Sequence, residues 1–152
     1  MHRTRPLLAL ALATSIFVGL PLASTAQARE MVSVTQRANM RAGAGTQHDA
    51  LWVLEAGYPL RVTDRRGNWL KVKDFEGDAG WVYRPLTAKR PHLIVRVEVA
   101  NIRSAPSTRA HRIGQAVYGE VLRTMKHRPG WVQVRRADGL TGWIARQLMW
   151  GW

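Results

Sequence analysis

The chain contains no cysteine, which excludes a disulfide framework, a lipid anchor attached through a cysteine and metal sites built on thiolates. Acidic residues are scarce, because 10 Asp and Glu stand against 23 Lys and Arg and give a formal net charge of +13. Helical periodicity is also missing, since beyond residue 28 no segment keeps an apolar face over three helical turns. We therefore expect a fold without long helices that is held together by its core alone.

The first 28 residues have the three-part pattern of a secretory signal peptide. A basic head with Arg3 and Arg5 precedes an apolar run over 7–22, and small residues follow as far as Ala26-Gln27-Ala28. We predict cleavage after Ala28 and a periplasmic or secreted protein. A retained anchor is disfavoured because the run is shorter than the roughly 20 apolar residues that span a bilayer, so we expect no membrane anchor after cleavage.

Positive charge remains after this cleavage. Residues 1–28 hold two arginines and no acidic residue, so the rest of the chain carries +11 of the total of +13. A basic surface favours polyanions, such as nucleic acid, lipopolysaccharide phosphates or acidic peptides of the cell wall. Export makes nucleic acid an unexpected partner. The alternative is that the charge only keeps a small exported protein soluble.

An internal repeat covers the remainder of the chain. An offset of 62 residues aligns the sequence with itself without a gap, and the aligned identities include Asn39 with Asn101, Arg41 with Arg103, Trp69 with Trp131, Gly80 with Gly142 and Trp81 with Trp143. The repeat predicts two domains, over residues 29–90 and 91–152, with a junction between Thr87 and His92.

Each repeat has the pattern of short strands and tight turns. Leu60 and Val62 alternate with polar residues, as do Leu70 and Val72, and residues 64–68 between them predict a hairpin turn. Pro129-Gly130 occupies the corresponding turn of the second repeat. Five or six short strands per repeat favour a small closed barrel, because closure removes exposed strand edges.

The repeated segments resemble a known family. Residues 38–46 and 100–108 resemble the N-x-R-x-G-P-S opening of bacterial SH3 (SH3b) domains, although Ala44 and Ala105 replace its common proline and glycine. Gly80-Trp81-Val82 and Gly142-Trp143-Ile144 are similar to the closing G-W-V strand of the family. Together with the ending Trp150-Gly151-Trp152, they resemble an exported proteobacterial subgroup with two tandem SH3-like domains.

The resemblance implies an all-β fold of two tandem SH3-like barrels and a binding function. The family's domains usually bind peptidoglycan or envelope peptides, often beside wall-active enzymes. Two alternatives remain open: a scaffold that binds an extended segment of an envelope protein, and an accessory to a cell-wall hydrolase encoded elsewhere.

Residues for catalysis or metal binding are not grouped in the sequence. The serines after residue 28 lie in no nucleophile motif, and the histidines after residue 28 are solitary. Asp74, Glu76 and Asp78 lie close together but lack the ligand ring of a calcium loop, so we interpret them as a solvated acidic turn. We expect no enzyme activity, no catalytic residue, no cofactor and no metal.

Tryptophan is the most informative residue type, with seven in the chain. The four that recur in both repeats are interpreted as structural rings that plug the barrels and cover their ends: Trp69, Trp81, Trp131 and Trp143. Gly80 and Gly142 are further structural residues of the repeat. Four aromatic residues of the first repeat have no aromatic counterpart and are candidate ligand-binding residues: Trp52, Tyr58, Phe75 and Tyr83. The basic residues that could bind ligand carboxylates beside them are Arg41, Arg61, Lys71 and Arg84.

Overall fold

The computed structural model describes residues 30–152, so the predicted signal peptide lies outside the described residues. The described chain is all-β apart from two single 3₁₀ turns, Arg84–Leu86 and Arg146–Leu148, which confirms the predicted fold class. The strands of the first half are β1 (Met31–Val34), β2 (Ala38–Arg41), β3 (Ala50–Leu54), β4 (Pro59–Arg66), β5 (Trp69–Lys73), β6 (Ala79–Tyr83) and β7 (Thr87–Ala88). Those of the second half are β8 (His92–Val95), β9 (Val99–Arg103), β10 (Arg112–Val117), β11 (Val121–Arg128), β12 (Trp131–Arg135), β13 (Thr141–Ala145) and β14 (Met149–Gly151).

The two halves have the same topology. The strands form two antiparallel sheets of seven, in the orders β3-β2-β6-β5-β4-β1-β7 and β10-β9-β13-β12-β11-β8-β14. Strands β4, β5 and β6 are each displaced by the same 62 residues from β11, β12 and β13. Each sheet curves around its own core, and we refer to the two units as the first and second barrel. The repeat seen in the sequence is therefore a repeat of structure.

The core of each barrel is aliphatic. In the first barrel Met40, Leu60, Val72 and Val82 are fully buried and belong to one core cluster. We expected the repeated tryptophans to plug the barrels and cover their ends. Neither core cluster contains a tryptophan, although Trp81 is buried with 8% exposure. Branched aliphatic side chains already fill so small an interior, which leaves the large rings to cover its outside.

The hairpin between β4 and β5 is tighter than the predicted turn over residues 64–68. Strand β4 continues to Arg66, which pairs with Trp69, so only Gly67 and Asn68 form the loop. A bulge between Val62 and Asp64 shifts the register of the pair. Such a bulge increases the local twist, and the positive φ of 55° at Gly67 suits a two-residue hairpin loop. In the second barrel Pro129-Gly130 forms the corresponding loop, as predicted.

No helix within residues 30–152 is long and apolar enough to cross a membrane.

Candidate ligand-binding groove

An open groove of about 510 Å³ runs along the outside of the first barrel. It lies between the loop that joins β2 to β3 and the facing ends of β5 and β6. Its lining residues are Asn39, Arg41, Gly45, Thr46, Gln47, Trp69, Tyr83 and Leu86. The groove therefore combines polar groups from the loop with an aromatic floor from the sheet.

Trp69 and Tyr83 form the aromatic floor. They are directly paired in the β5–β6 register, and their ring centroids lie 5.4 Å apart with the planes tilted by 53°. Tyr83 is 38% exposed, so its ring is open to a ligand. In the second barrel Trp131 pairs with Ala145 at the same register, so the tyrosine ring is absent from that position. The two barrels thus differ at the centre of the groove.

Arg41 holds the loop that forms one wall. Its Nη1 donates to the carbonyl oxygen of His48 at 2.8 Å, with a longer contact of 3.4 Å to that of Thr46. In the second barrel Arg103 donates in the same way to Ala110, at 2.9 Å. The sequence indicated Arg41 as a ligand-binding residue, and the structure places it in the groove lining with its guanidinium group engaged by the loop.

Lys71 lies beside the aromatic floor. It is exposed on β5 two residues from Trp69, and alternation along a strand puts both side chains on the same face. Its register partner on β6 is Trp81, and the guanidinium carbon of Arg66 lies 5.2 Å from the centroid of the Trp81 ring. This face therefore extends the groove with positive charge.

Arg84 stands at the end of β6 and joins two loops. Its Nη2 donates to Oδ1 of Asn68 at 3.0 Å, and its backbone N–H donates to the carbonyl oxygen of the same residue at 2.8 Å. The arginine therefore ties the β4–β5 hairpin to the 3₁₀ turn that follows Tyr83.

Trp52 lies away from the groove although it is 53% exposed. It pairs with Met40, whose side chain points into the core, whereas its neighbour Val53 pairs with Asn39 of the groove lining. Adjacent residues of a strand face opposite sides, so Trp52 is on the other side of β3.

Tyr58 and Phe75 lie at the contact between the two barrels. Phe75 packs between Tyr58 and Tyr118 of the second barrel, with ring centroids 6.3 and 5.3 Å apart. The Tyr118 hydroxyl donates to Oε1 of Glu76 at 2.5 Å. Burial is the main reason that the pKa of Tyr58 is raised above its usual value. Arg61 lies in a separate pocket between the barrels.

The acidic turn after β5 is partly buried rather than fully solvated. Asp74 is buried, and its Oδ1 accepts hydrogen bonds from the backbone N–H groups of Glu76 at 3.0 Å and Asp78 at 2.9 Å. Burial raises the pKa of Asp74. Carboxylate oxygens of Asp74, Glu76 and Asp78 lie within 4.8 Å of one another, but Oδ1 of Asp74 already accepts the two backbone hydrogen bonds of the turn.

Comparison with known families gives a match in each half of the chain. Residues 34–89 and residues 98–149 each match a family model described as "Bacterial SH3 domain". Among curated proteins, the chain is similar to YrvJ of Bacillus subtilis (strain 168), which is named as an N-acetylmuramoyl-L-alanine amidase, with 22% identity over 136 residues. The match covers 82% of this chain but 26% of that protein, so the chain spans about a quarter of its length.

Among solved structures, the chain is similar to NlpC1 from Trichomonas vaginalis, at 13% identity and a TM-score of 0.38 over 84% of this chain and 47% of that one. It is also similar to an NlpC/P60 family protein from Bacillus cereus ATCC 10987, at 13% identity and a TM-score of 0.38 over 80% of this chain and 56% of that one. The chain spans about half the length of these structures.

Proposed function

Because the chain belongs to the bacterial SH3 domain family and carries two of these domains in tandem, we propose that it is an exported, non-catalytic module that binds peptidoglycan or another cell-envelope polymer. Bacterial SH3 domains are usually binding modules and are typical of extracellular or cell-envelope proteins. The observation that carries the proposal is the open groove of the first barrel, with its paired Trp69 and Tyr83 rings.

The groove offers the chemistry that a glycan or an extended peptide needs. The flat faces of Trp69 and Tyr83 suit the apolar face of a sugar or an extended backbone, while Asn39 and Gln47 can exchange hydrogen bonds. Lys71 is placed to attract the carboxylates of an acidic peptide. Binding in this mode requires neither a metal nor a cofactor.

The place of action follows from the N-terminal pattern and from the relative. We propose that a signal peptide is cleaved after Ala28 and that the protein works in the periplasm or outside the cell. The similarity to a much longer protein named as an amidase supports a role beside a cell-wall hydrolase encoded elsewhere.

A second candidate function is favoured by the edge strand β3. This strand ends its sheet and pairs on one side with β2, and its side chains Leu51, Trp52 and Val53 are all exposed. An exposed apolar edge can take up an extended segment of another protein as an additional strand. The chain would then be a scaffold for an envelope protein.

Co-sedimentation with purified, protein-free sacculi tests the first function and separates it from the second. We expect the protein to be retained at low and at high salt. Salt screens exposed charges over a distance of about 8 Å at physiological ionic strength, but it does not weaken contacts between aromatic rings and a ligand. Tyr83→Ala should weaken retention roughly tenfold, the equivalent of about 1.4 kcal/mol. The variant should fold, because the second barrel has an alanine, Ala145, at the corresponding position.

Trp52→Ala is the matched control, since it removes an exposed ring from the other face of β3. The groove proposal predicts unchanged retention for this variant. Release of the wild type by salt, or equal retention of wild type and Tyr83→Ala, would contradict the groove. No retention on bare sacculi, with capture of an envelope protein that Trp52→Ala abolishes, would favour the scaffold.

A further inference from the structure

A second pocket, of about 440 Å³, lies between the two barrels. Met31 and Arg61 come from the first barrel, and Arg96, Arg146, Trp150 and Trp152 come from the second. Neither barrel has this pocket by itself. It is also separate from the groove, because it shares no lining residue with it.

The three arginines of the pocket have no carboxylate partner. All salt bridges of residues 30–152 lie elsewhere, and they join Arg37 to Glu55, Arg65 to Glu30 and Arg136 to Asp138. Three positively charged side chains therefore line one pocket, and no salt bridge of the described residues neutralises them.

Arg146 is partly buried and is held in position by two hydrogen bonds. Its Nη1 donates to the carbonyl oxygen of Met149 at 2.8 Å and its Nη2 donates to that of Gly151 at 3.0 Å. Burial lowers the pKa of this guanidinium group, because desolvation disfavours its charged form. An anion beside it would stabilise the charged form.

Trp152 adds an unused donor at the same place. Its indole Nε1 is buried and has no acceptor within residues 30–152. A buried donor without a partner is unfavourable, and an acceptor brought by a ligand could pair with it only if the Trp152 ring shifts toward the pocket. The rings of Trp150 and Trp152 and the side chain of Met31 make the remaining walls apolar.

We propose that this junction pocket binds a peptide carboxylate, with Arg61, Arg96 and Arg146 around the carboxylate and the two indoles against the adjoining apolar part of the peptide. Guanidinium groups bind planar carboxylates through paired hydrogen bonds. The apolar walls and the size of the pocket fit a group of dipeptide size better than a free inorganic anion. The site requires both barrels in tandem. It gives the second barrel a binding role even though that barrel lacks the tyrosine ring of the groove.

NMR titration of the ¹⁵N-labelled protein at constant ionic strength tests the proposal. The probes are N-acetyl-alanyl-alanine, its uncharged C-terminal amide and inorganic phosphate. We expect the dipeptide to shift the indole signals of Trp150 and Trp152 saturably, and the amide and phosphate each to bind at least tenfold more weakly. Arg61→Gln and Arg96→Gln should each weaken dipeptide binding about fivefold, whereas Tyr83→Ala should not change it.

Lys126→Gln is the matched control, because it removes one exposed positive charge from β11 away from the pocket. Both arginines are at least partly exposed and make no side-chain hydrogen bond within residues 30–152, so their variants should fold. Equal binding of dipeptide and amide would overturn the proposal, as would phosphate binding as tight as that of the dipeptide. An equal loss in Lys126→Gln would show that only net charge matters.

Discussion

At the scale of single residues, Arg41 and Arg103 have the same bonds at the same place in the two barrels. Each donates from Nη1 to the carbonyl oxygen seven residues further along the chain, at 2.8 Å to His48 and 2.9 Å to Ala110. A loop that must leave β2 and return as β3 exposes carbonyl groups, and the planar guanidinium group can satisfy them while it closes the loop. The repeated arginine is thus explained by the backbone without reference to a ligand.

Arg103→Lys tests this explanation in the barrel that lacks the Trp–Tyr floor. A lysine keeps the charge but not the planar donor, so we expect the free energy of unfolding to fall by about 1 kcal/mol. Urea denaturation measures the change. Arg112→Lys, at an exposed position of β10, should change stability by less than about 0.5 kcal/mol. An equal effect of both variants would show that Arg103 does not hold the loop.

At the scale of elements, the crossing of two strands explains the G-W motif. A Cβ at Gly80 would lie 2.5 Å from Cγ of Met40, and one at Gly142 would lie 2.5 Å from Cγ2 of Ile102 and 2.9 Å from the carbonyl oxygen of Arg103. Strands β2 and β6 meet at these points, as do β9 and β13. Glycine permits the close approach, and the tryptophan that follows it faces outward over the crossing.

Alanine at these two glycines should destabilise the two barrels unequally. We expect Gly142→Ala to lower the free energy of unfolding by about 1–3 kcal/mol, and Gly80→Ala to lower it less. The reason is that unbranched Met40 can move its side chain aside, whereas branched Ile102 is stiff. Urea denaturation of both variants, with Ala79→Ser as an exposed control on β6, measures the difference. A larger loss in Gly80→Ala would contradict this account of the crossing.

At the scale of the whole molecule, the repeat made the fold predictable and the site only partly so. Two copies of one strand pattern predict two domains with the same topology, and the structure contains two such domains. Aromatic residues without a counterpart in the second repeat were expected at a ligand face, and Tyr83 does line the groove. Tyr58 and Phe75 also lack an aromatic counterpart in the second repeat, but for a different reason. They face the second barrel, whereas the corresponding positions of the second barrel hold Glu120 and Ala137.

The contact between the barrels should couple their unfolding. Phe75 and Tyr118 pack across the junction, and such an aromatic pair contributes about 0.5–1.5 kcal/mol. We expect one calorimetric transition for the wild type and two separate transitions when Phe75→Ala and Tyr118→Ala are combined. Tyr118→Phe keeps the ring but loses the hydrogen bond to Glu76, and it should keep a single transition. A single, unshifted transition in the double variant would show that the Phe75–Tyr118 pair is not what couples the barrels.

The central claim is that the groove of the first barrel binds the cell-wall polymer and that the corresponding face of the second barrel does not. The most direct measurement adds soluble peptidoglycan fragments to the ¹⁵N-labelled protein and follows the indole N–H signals of its seven tryptophans. Trp69 and Trp131 occupy equivalent positions, so one serves as the internal control for the other. We predict a saturable shift of the Trp69 signal with the Trp131 signal unchanged; equal shifts of both, or no shift of Trp69, would contradict the claim.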